Sequence, residues 1–206
     1  MCAAVDSAMS LAPLSLRGSI VSLEPLTLEH VPALAHVGLE PGLWRLQPRA
    51  IESLADMHDY VAQALAEQER GMSLPFAIVR SADRAVIGST RYMDIALPHR
   101  RLEIGSTWLA PSAQRTGANV EAKRLLLAHA FDVLGMQKVV FKTEVLNTQS
   151  RTAILALGAV EEGIFRKQLI SATGRPRDMI YFSILDTEWP SVRARLEQRL
   201  ARYAAR

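Results

Sequence analysis

Two β-rich segments stand on either side of one helix pattern near the middle of the chain. The segments are RLEIGSTWLA, which ends at Ala110, and KVVFKTEV, at 138–145. Between them, PSAQRTGANVEAKRLLLAHAFDVLG begins with polar residues and then places its leucines on one side of a helix. A strand–helix–strand unit closes as a right-handed crossover, and its two strands run parallel. The sequence therefore predicts a parallel pair of strands inside a larger sheet.

Hairpins and further helices flank this unit. Before it, GSIVSLEPL has the pattern of a strand, two helices follow with Thr27 and Ser53 as N-caps, and LPFAIVR and AVIGSTRYMDI form a hairpin around SADR. After it come a helix capped by Asn147, two strands around SATGRP, and a last helix, 187–203, capped by Thr187. The order predicts an α/β (α+β) fold with a mixed, mostly antiparallel sheet and helices on both faces. We expect residues 1–15 to be a flexible leader and 16–206 to form one domain.

Composition limits the classes of function. A chain of 206 residues is long enough for one sizeable α/β domain. Its net charge is +3 and its arginines are scattered, which argues against nucleic acid, and no apolar run reaches the roughly 18 residues of a membrane span. The single cysteine, Cys2, forms no internal disulfide, so we expect a cytoplasmic protein. The histidines have no metal-ligand spacing, and we expect no metal site.

The polar stretch Gln114–Asn119 suggests an anion site. The first amides of a helix have no partner within it, and the helix dipole places partial positive charge there. Glycine at 117 lets a ligand approach the backbone closely. Together these features suit a diphosphate. The alternative, a capped loop–helix junction without function, stays open. No phosphate-binding G-x-x-x-x-G-K-[ST] loop and no G-x-G-x-x-G after a first strand occurs, which disfavours a nucleotide-binding protein.

Two motifs resemble those of the GNAT N-acetyltransferases. The stretch Gln114-Arg115-Thr116-Gly117-Ala118-Asn119 is similar to their acetyl-CoA signature Q/R-x-x-G-x-G/A, with Asn119 where the family usually has Gly or Ala. NTQSRTAILALGAVEEGIFR is similar to the N-x-x-S…L-G-F-x-x-E-G…R segment of the branch that includes the ribosomal-protein alanine acetyltransferases. Six residues carry this second match: Asn147, Ser150, Gly158, Glu162, Gly163 and Arg166. Ala159 replaces the usual Phe. The resemblance covers about 16–185.

The resemblance implies a GNAT-like domain that uses acetyl-CoA as co-substrate and no metal. In this family the strands around the glycine loop splay apart and hold the pantetheine arm. The arm would pair with the backbone of Thr107, Trp108 and Leu109, in the manner of strand addition. The diphosphate would meet the amides of 115–119, with charge added by Arg115 or Lys123. The amine would attack the thioester directly, in a ternary complex.

Glu103 is the first candidate for the general base, because it lies near the expected splay. Strict alternation places Glu103, Gly105 and Thr107 on one face of the strand, and Ile104, Ser106 and Trp108 on the other. The alternative for Glu103, a surface carboxylate paired with Arg101 or Arg91, stays open.

The resemblance also supplies the remaining site candidates. Ser150 would donate a proton towards the departing sulfur, since Ile154 stands where many relatives have Tyr; the alternative is a solvated helix residue. Asn147 would cap its helix and contact the pantetheine. Trp44 and Tyr92 are candidates to line the acceptor cleft, although Trp44 suits a core position equally well.

These observations predict an acetyl-CoA-dependent N-acetyltransferase acting on a primary amine. The branch favours a protein N-terminal amine, while a small-molecule amine stays open as acceptor. A non-catalytic acyl-CoA-binding sensor is the alternative from another class, because such a module would keep the loop and lose the base and acid. A homodimer is an expectation from fold analogy.

Overall fold

The protein forms one eight-stranded sheet with helices on both faces, as the computed structural model shows for residues 11–47, 49–171 and 173–204. The strand order across the sheet is β1-β2-β3-β4-β5-β6-β8-β7. Within the described ranges, β5 and β6 are the parallel pair and all other neighbouring strands are antiparallel. The strands are β1 Leu16–Arg17, β2 Val21–Pro25, β3 Ser73–Arg80, β4 Val86–Ala96, β5 Arg101–Leu109, β6 Lys138–Glu144, β7 Val160–Ile170 and β8 Pro176–Leu185.

Six α-helices connect and cover these strands in the part of the chain that the structure describes. Ser53 and Asn147 cap their helices as predicted, because their side chains accept hydrogen bonds from the backbone N–H groups of Asp56 and Ser150. A short π-helix, His129–Val133, continues directly from the fourth α-helix. The helices are α1 Val31–Gly38, α2 Pro41–Trp44, α3 Leu54–Glu69, α4 Ala118–Ala128, α5 Thr148–Leu155 and α6 Trp189–Ala204.

The sheet separates two hydrophobic cores. On one face, which we call the α4 face, Ile104, Leu126 and Phe141 belong to a core that also includes residues of α6. On the other face, the α3 face, α1 and α3 pack over Ala77 and Trp108. Because each core sits under a different set of helices, the face on which a strand residue projects decides which side of the sheet it can serve.

The predicted fold class is confirmed, and three details differ. The two-residue strand β1 and the short helix α2 were not predicted, and the last helix begins at Trp189, two residues beyond its predicted start. Residues 1–10 of the expected leader lie outside the described residues. Leu11 and Leu14, in the rest of that segment, pack against the α4-face core. No described helix is long and apolar enough to span a bilayer.

Candidate active site

A wedge opens between β5 and β6. These two strands pair from Arg101 and Lys138 only as far as Glu103 and Val140. Beyond that point β5 continues to Leu109 and β6 continues to Glu144 without pairing to each other. The strands therefore separate as expected, and the edge of β5 that faces β6 is available for strand addition by an extended ligand.

A β-bulge in β5 changes the faces of its last residues. Ser106 has φ of +46°, and the register with β4 passes from Arg91 opposite Gly105 to Ser89 opposite Trp108. Strict alternation was therefore wrong beyond Gly105. Thr107 projects to the α4 face, where its hydroxyl meets Lys123, and Trp108 packs in the α3-face core. Bulges of this kind redirect side chains, and a pattern of period 2 gives no sign of them.

Glu103 lies at the fork of the wedge and is almost completely buried, with 3% of its surface exposed. Its Oε2 lies 2.9 Å from Nζ of Lys142 on β6. Burial raises the pKa of this carboxyl above its usual value, and the ammonium of Lys142 opposes the rise. A buried carboxyl with a raised pKa, beside an open wedge, has the properties of a general base.

The alternative pairing of Glu103 with Arg101 or Arg91 is wrong. Arg101 pairs with Asp94 at 2.6 Å, and Arg91 pairs with Glu67 at 3.2 Å. Both arginines thereby have other carboxylate partners. Glu103 is thus buried and held by the partly buried Lys142, and not by Arg101 or Arg91.

A hollow of about 510 Å³ on the protein surface is lined in part by β4. Met93, one of its lining residues, is the cross-strand partner of Glu103. The lining also includes Glu67, Arg70, Met72 and Asp94. Because Met93 is paired with Glu103, the hollow is the candidate entry for an acceptor amine.

At the other end of the wedge, the glycine loop adopts a strained backbone. Arg115 has φ of +63° and Gly117 has φ of +93°, and α4 begins directly after Gly117. The first helical hydrogen bond runs from the N–H of Glu121 to the carbonyl of Gly117. Thr116 Oγ1 accepts from the N–H of Ala118 at 3.5 Å, a weak cap. The start of α4 therefore keeps the amide-rich end that anions prefer.

Gly117 is also required by the packing of the protein itself. A Cβ at this position would lie 3.0 Å from Ile20 Cδ1 and 3.0 Å from the ring of Tyr203 on α6. A substitution such as Gly117→Val would therefore disturb the contact between the loop, the β1–β2 turn and α6 whether or not a ligand binds. Asn119, which departs from the family motif, keeps its Oδ1 buried with no hydrogen-bond partner among the described residues.

Gln114, at the start of the loop, contacts both the end of β5 and helix α5. Gln114 Nε2 donates to the carbonyl of Leu109 at 3.2 Å, and Gln149 Nε2 on α5 donates to Gln114 Oε1 at 3.3 Å. Side chains from the segments that follow the two separated strands thus meet across the mouth of the wedge. Asn147 caps α5 there, and Ser150, three residues further on, is partly buried in the first turn of the helix.

Three residues do not take the positions that were expected for them. Lys123 does not reach the loop, because its Nζ donates to Thr107 Oγ1 at 2.5 Å inside the protein. Tyr92 is fully buried on the α4 face, where its hydroxyl donates to the carbonyl of Leu126 at 2.6 Å. Trp44 is buried among the aromatic side chains of the α3-face core, and its Nε1 donates to the carbonyl of Gly38 at 2.6 Å. Neither aromatic residue lines the hollow.

The sequence analysis missed two residues that shape the site. Lys142, the partner of Glu103, lies on the same face of β6 as Val140, a position that alternation along KVVFKTEV could have indicated. Glu121 accepts hydrogen bonds from three backbone N–H groups at 19–21 and from the Ser19 hydroxyl. Its only signal is an acidic residue in the first turn of a helix. In the described part of the chain, no cluster of three or more His, Cys, Asp or Glu suits a metal ion.

Solved structures with this fold are known. One is a candidate acetyltransferase from T. thermophilus, which is 36% identical, has a TM-score of 0.85 and covers 93% of this chain and 100% of that chain. Another is Mycobacterium smegmatis RimJ in complex with CoA-disulfide, which is 24% identical, has a TM-score of 0.76 and covers 91% of this chain and 93% of that chain. At this lower identity the second likeness shows the fold alone.

Sequence comparisons agree with the structural ones. The candidate ribosomal N-acetyltransferase YdaF of Bacillus subtilis (strain 168) is 31% identical over 107 residues, which are 52% of this chain and 57% of that protein. The match thus spans little more than half the length of that relative. The family model for the acetyltransferase (GNAT) domain matches residues 21–160. This chain therefore belongs to the GNAT family of acetyltransferases, whose acetyl donor is acetyl-CoA.

Proposed function

We propose that the protein is an N-acetyltransferase that transfers the acetyl group of acetyl-CoA to a primary amine in a ternary complex. One observation carries the proposal. The wedge between β5 and β6 has a buried carboxyl, Glu103, at its closed end and the loop 114–119 at its mouth. A thioester whose pantetheine arm lies along that edge would have its diphosphate at the loop and its acetyl group near Glu103.

The chemistry requires a base and an acid on opposite sides of the acetyl carbon. The amine nitrogen forms a bond to the carbonyl carbon, the C–S bond breaks, and its electron pair stays on sulfur. Glu103 would take the proton that the amine loses, directly or through water. Ser150 would donate a hydrogen bond to the departing thiolate from the α5 side. The enzyme would thus act by positioning and proton transfer, with no acyl-enzyme and no metal.

A protein N-terminal amine is the acceptor that we favour. Tyr181 lies opposite Lys142 in the register of β6 and β8, and its ring lies 4.6 Å from that of Phe165 on β7. Phe165 is 53% exposed and lies opposite Met179 in the register of β7 and β8, so it projects on the same face of the sheet as Tyr181. An exposed aromatic side chain on the same face of the sheet as Lys142 and Glu103 suits a polypeptide better than a small polar amine. The name of the relative YdaF points to the same class of acceptor.

Acetyl transfer to an amine panel tests the proposal. The panel contains ribosomal-protein N-terminal peptides, the same peptides with blocked N-termini, polyamines and amino acid amides, all with labelled acetyl-CoA. We expect transfer to free N-terminal peptides, in the cytoplasmic range of pH. Transfer to small amines alone would replace the protein acceptor by a small molecule. Tight acetyl-CoA binding without transfer to any amine would favour the sensor. Sedimentation of the same sample tests the expected homodimer.

Phe165→Ser should separate peptide acceptors from small ones. We expect KM for the best peptide to rise about tenfold, because the variant loses the aromatic contact that Phe165 would make with the bound peptide. KM for a small amine should stay unchanged. Val133→Ser is the matched control, because Val133 is 70% exposed but follows α4 on the other face of the sheet. Equal effects of the two variants on peptide KM would contradict the assignment of this surface.

Arg115→Glu should weaken acetyl-CoA binding through its diphosphate. Arg115 is exposed within the loop, and a carboxylate there would repel the anion, so we expect Kd to rise at least about tenfold. Binding of acetyl-pantetheine, which lacks the diphosphate, should not change. Arg70→Glu makes the same charge change beyond α3 and serves as control. An unchanged Kd for acetyl-CoA in Arg115→Glu would remove Arg115 from the site.

A further inference from the structure

A lysine lies buried behind the wedge and has no role in the chemistry described so far. Lys123, in the second turn of α4, is 6% exposed. Its Nζ donates to Thr107 Oγ1 at 2.5 Å and lies 5.8 Å from the centre of the Phe141 ring. Thr107 is on β5 and Phe141 is on β6, in the region where these strands no longer pair. The amine therefore sits between the two separated strands, on the α4 face.

The hydrogen bonding of this amine is incomplete within the protein. An ammonium has three N–H donors, and among the described residues Nζ makes the one hydrogen bond to Thr107. Thr107 Oγ1 in turn lies 2.7 Å from Thr90 Oγ1, so the pair of threonines is satisfied internally. Burying a cationic group with a single partner is costly. A ligand that supplies the missing hydrogen-bond acceptors would offset this cost.

We propose that Lys123 is a positioning residue that donates hydrogen bonds to the amide carbonyl oxygens of the pantetheine arm. This inference rests on the proposed function. An arm that extends along β5 from the loop towards Glu103 has to pass Thr107, beside which Nζ is held. Its amide carbonyls are neutral acceptors, which an ammonium binds more strongly than a backbone N–H does. Lys123 would fix the depth of the thioester in the wedge, while Arg115 would act on the diphosphate.

Protonation provides a signature of this contact. Burial lowers the pKa of Lys123 to about 7, and the negative charge of Glu103 partly opposes that shift. A carbonyl ligand favours the ammonium form, so binding should raise the pKa and take up protons above pH 7.

Other titratable groups face this region, and their protonation must be separated from that of Lys123. Burial lowers the pKa of His129, so this ring is neutral above pH 7, and burial raises the pKa of Tyr92 well above its usual value. Burial opposes the charge of Lys142, but Glu103 raises the pKa of this lysine above its usual value. Burial also opposes the charge of Glu144, but Arg175 and Arg177 lower the pKa of this carboxyl. Both groups therefore stay charged. Glu103, whose pKa burial raises, is the group that a variant must exclude.

Calorimetry of acetyl-CoA binding tests the proposal. Titrations at pH 7.5 in two buffers of different ionisation enthalpy give the number of protons taken up. We expect uptake of a fraction of a proton by the unsubstituted protein and by Glu103→Gln, and none by Lys123→Met. Lys123→Met should also weaken binding of both acetyl-CoA and acetyl-pantetheine about tenfold, the effect of losing a hydrogen bond from a charged donor. Arg115→Glu differs, since it should weaken acetyl-CoA alone.

The outcomes separate this inference from the proposed function. Unchanged affinity and unchanged proton uptake in Lys123→Met would overturn the role of Lys123 and leave the transferase intact. A loss of uptake in Glu103→Gln would reassign the proton to Glu103. Failure of the unsubstituted protein to bind acetyl-CoA would overturn both. Thermal unfolding shows whether Lys123→Met folds. If this variant does not fold, the other two proteins still test the proposal: acetyl-CoA binding without proton uptake, in both the unsubstituted protein and Glu103→Gln, would reject it.

Discussion

Glu103→Gln should lower kcat/KM for acetyl transfer about 10²- to 10⁴-fold, which is the usual contribution of a general base. The amide keeps the size of the side chain and cannot accept a proton. Acetyl-CoA affinity should stay within about twofold, because the proposed diphosphate and pantetheine contacts would lie further along the wedge. Steady-state kinetics at saturating acetyl-CoA, together with calorimetry, measure the two quantities separately.

The pH profile gives this prediction a second readout. A base acts when it is deprotonated, and burial raises the pKa of Glu103 above its usual value. The activity of the unsubstituted protein should therefore fall as pH drops through that raised pKa, and this acidic limb should be absent from Glu103→Gln. Asp94→Asn is the matched control: Asp94 lines the same hollow but pairs with Arg101, and its loss should change kcat/KM less than about threefold. Comparable kcat/KM in Glu103→Gln and the unsubstituted protein would exclude Glu103 as the base.

Glu121→Ala should destabilise the protein by about 3–5 kcal/mol. The Glu121 carboxylate is buried and accepts from the N–H groups of Ser19, Ile20 and Val21 at 2.6–3.0 Å. Alanine at this position leaves the three backbone N–H groups without an acceptor and leaves a cavity where the Glu121 side chain had been. Urea unfolding measures the loss as a shift of the midpoint at constant slope.

The same contact supports the proposed site. Glu121 ties the β1–β2 turn to α4, and Ile20 in that turn borders Gly117. Glu121→Gln, which keeps the volume and one acceptor oxygen, should lose about half as much stability. Glu69→Ala, at the exposed end of α3, should change stability by less than about 0.5 kcal/mol. A midpoint for Glu121→Ala equal to that for Glu69→Ala would show that the turn is held by other contacts.

The fold could be predicted from local patterns because each pattern specifies one element. The crossover between RLEIGSTWL and KVVFKTEV required a parallel pair, and β5 and β6 form it. Caps at Ser53 and Asn147 fixed two helix starts through hydrogen bonds within four residues. Local patterns do not indicate the contacts of Leu11 and Leu14, because these residues pack against a core built from distant segments.

The site was only partly predictable, for a similar reason. The bulge at Ser106 depends on the fit of β5 to β4, and it reverses the sides of Thr107 and Trp108. Lys123 follows Val120 by three residues in the helix pattern, and a lysine in such a pattern is usually exposed. In the structure it is buried against Thr107. Such placements follow from tertiary contacts, and a single sequence without its structure does not contain them in readable form.

A crystal structure of the protein with acetyl-CoA tests the central proposal most directly. We expect the diphosphate within hydrogen-bonding distance of the amides at 115–119, the pantetheine arm along the open edge of β5, and the acetyl carbon closer to Glu103 than to any other carboxyl. Coenzyme bound outside the wedge, or β5 and β6 zipped together beyond Glu103 and Val140 in the complex, would contradict it.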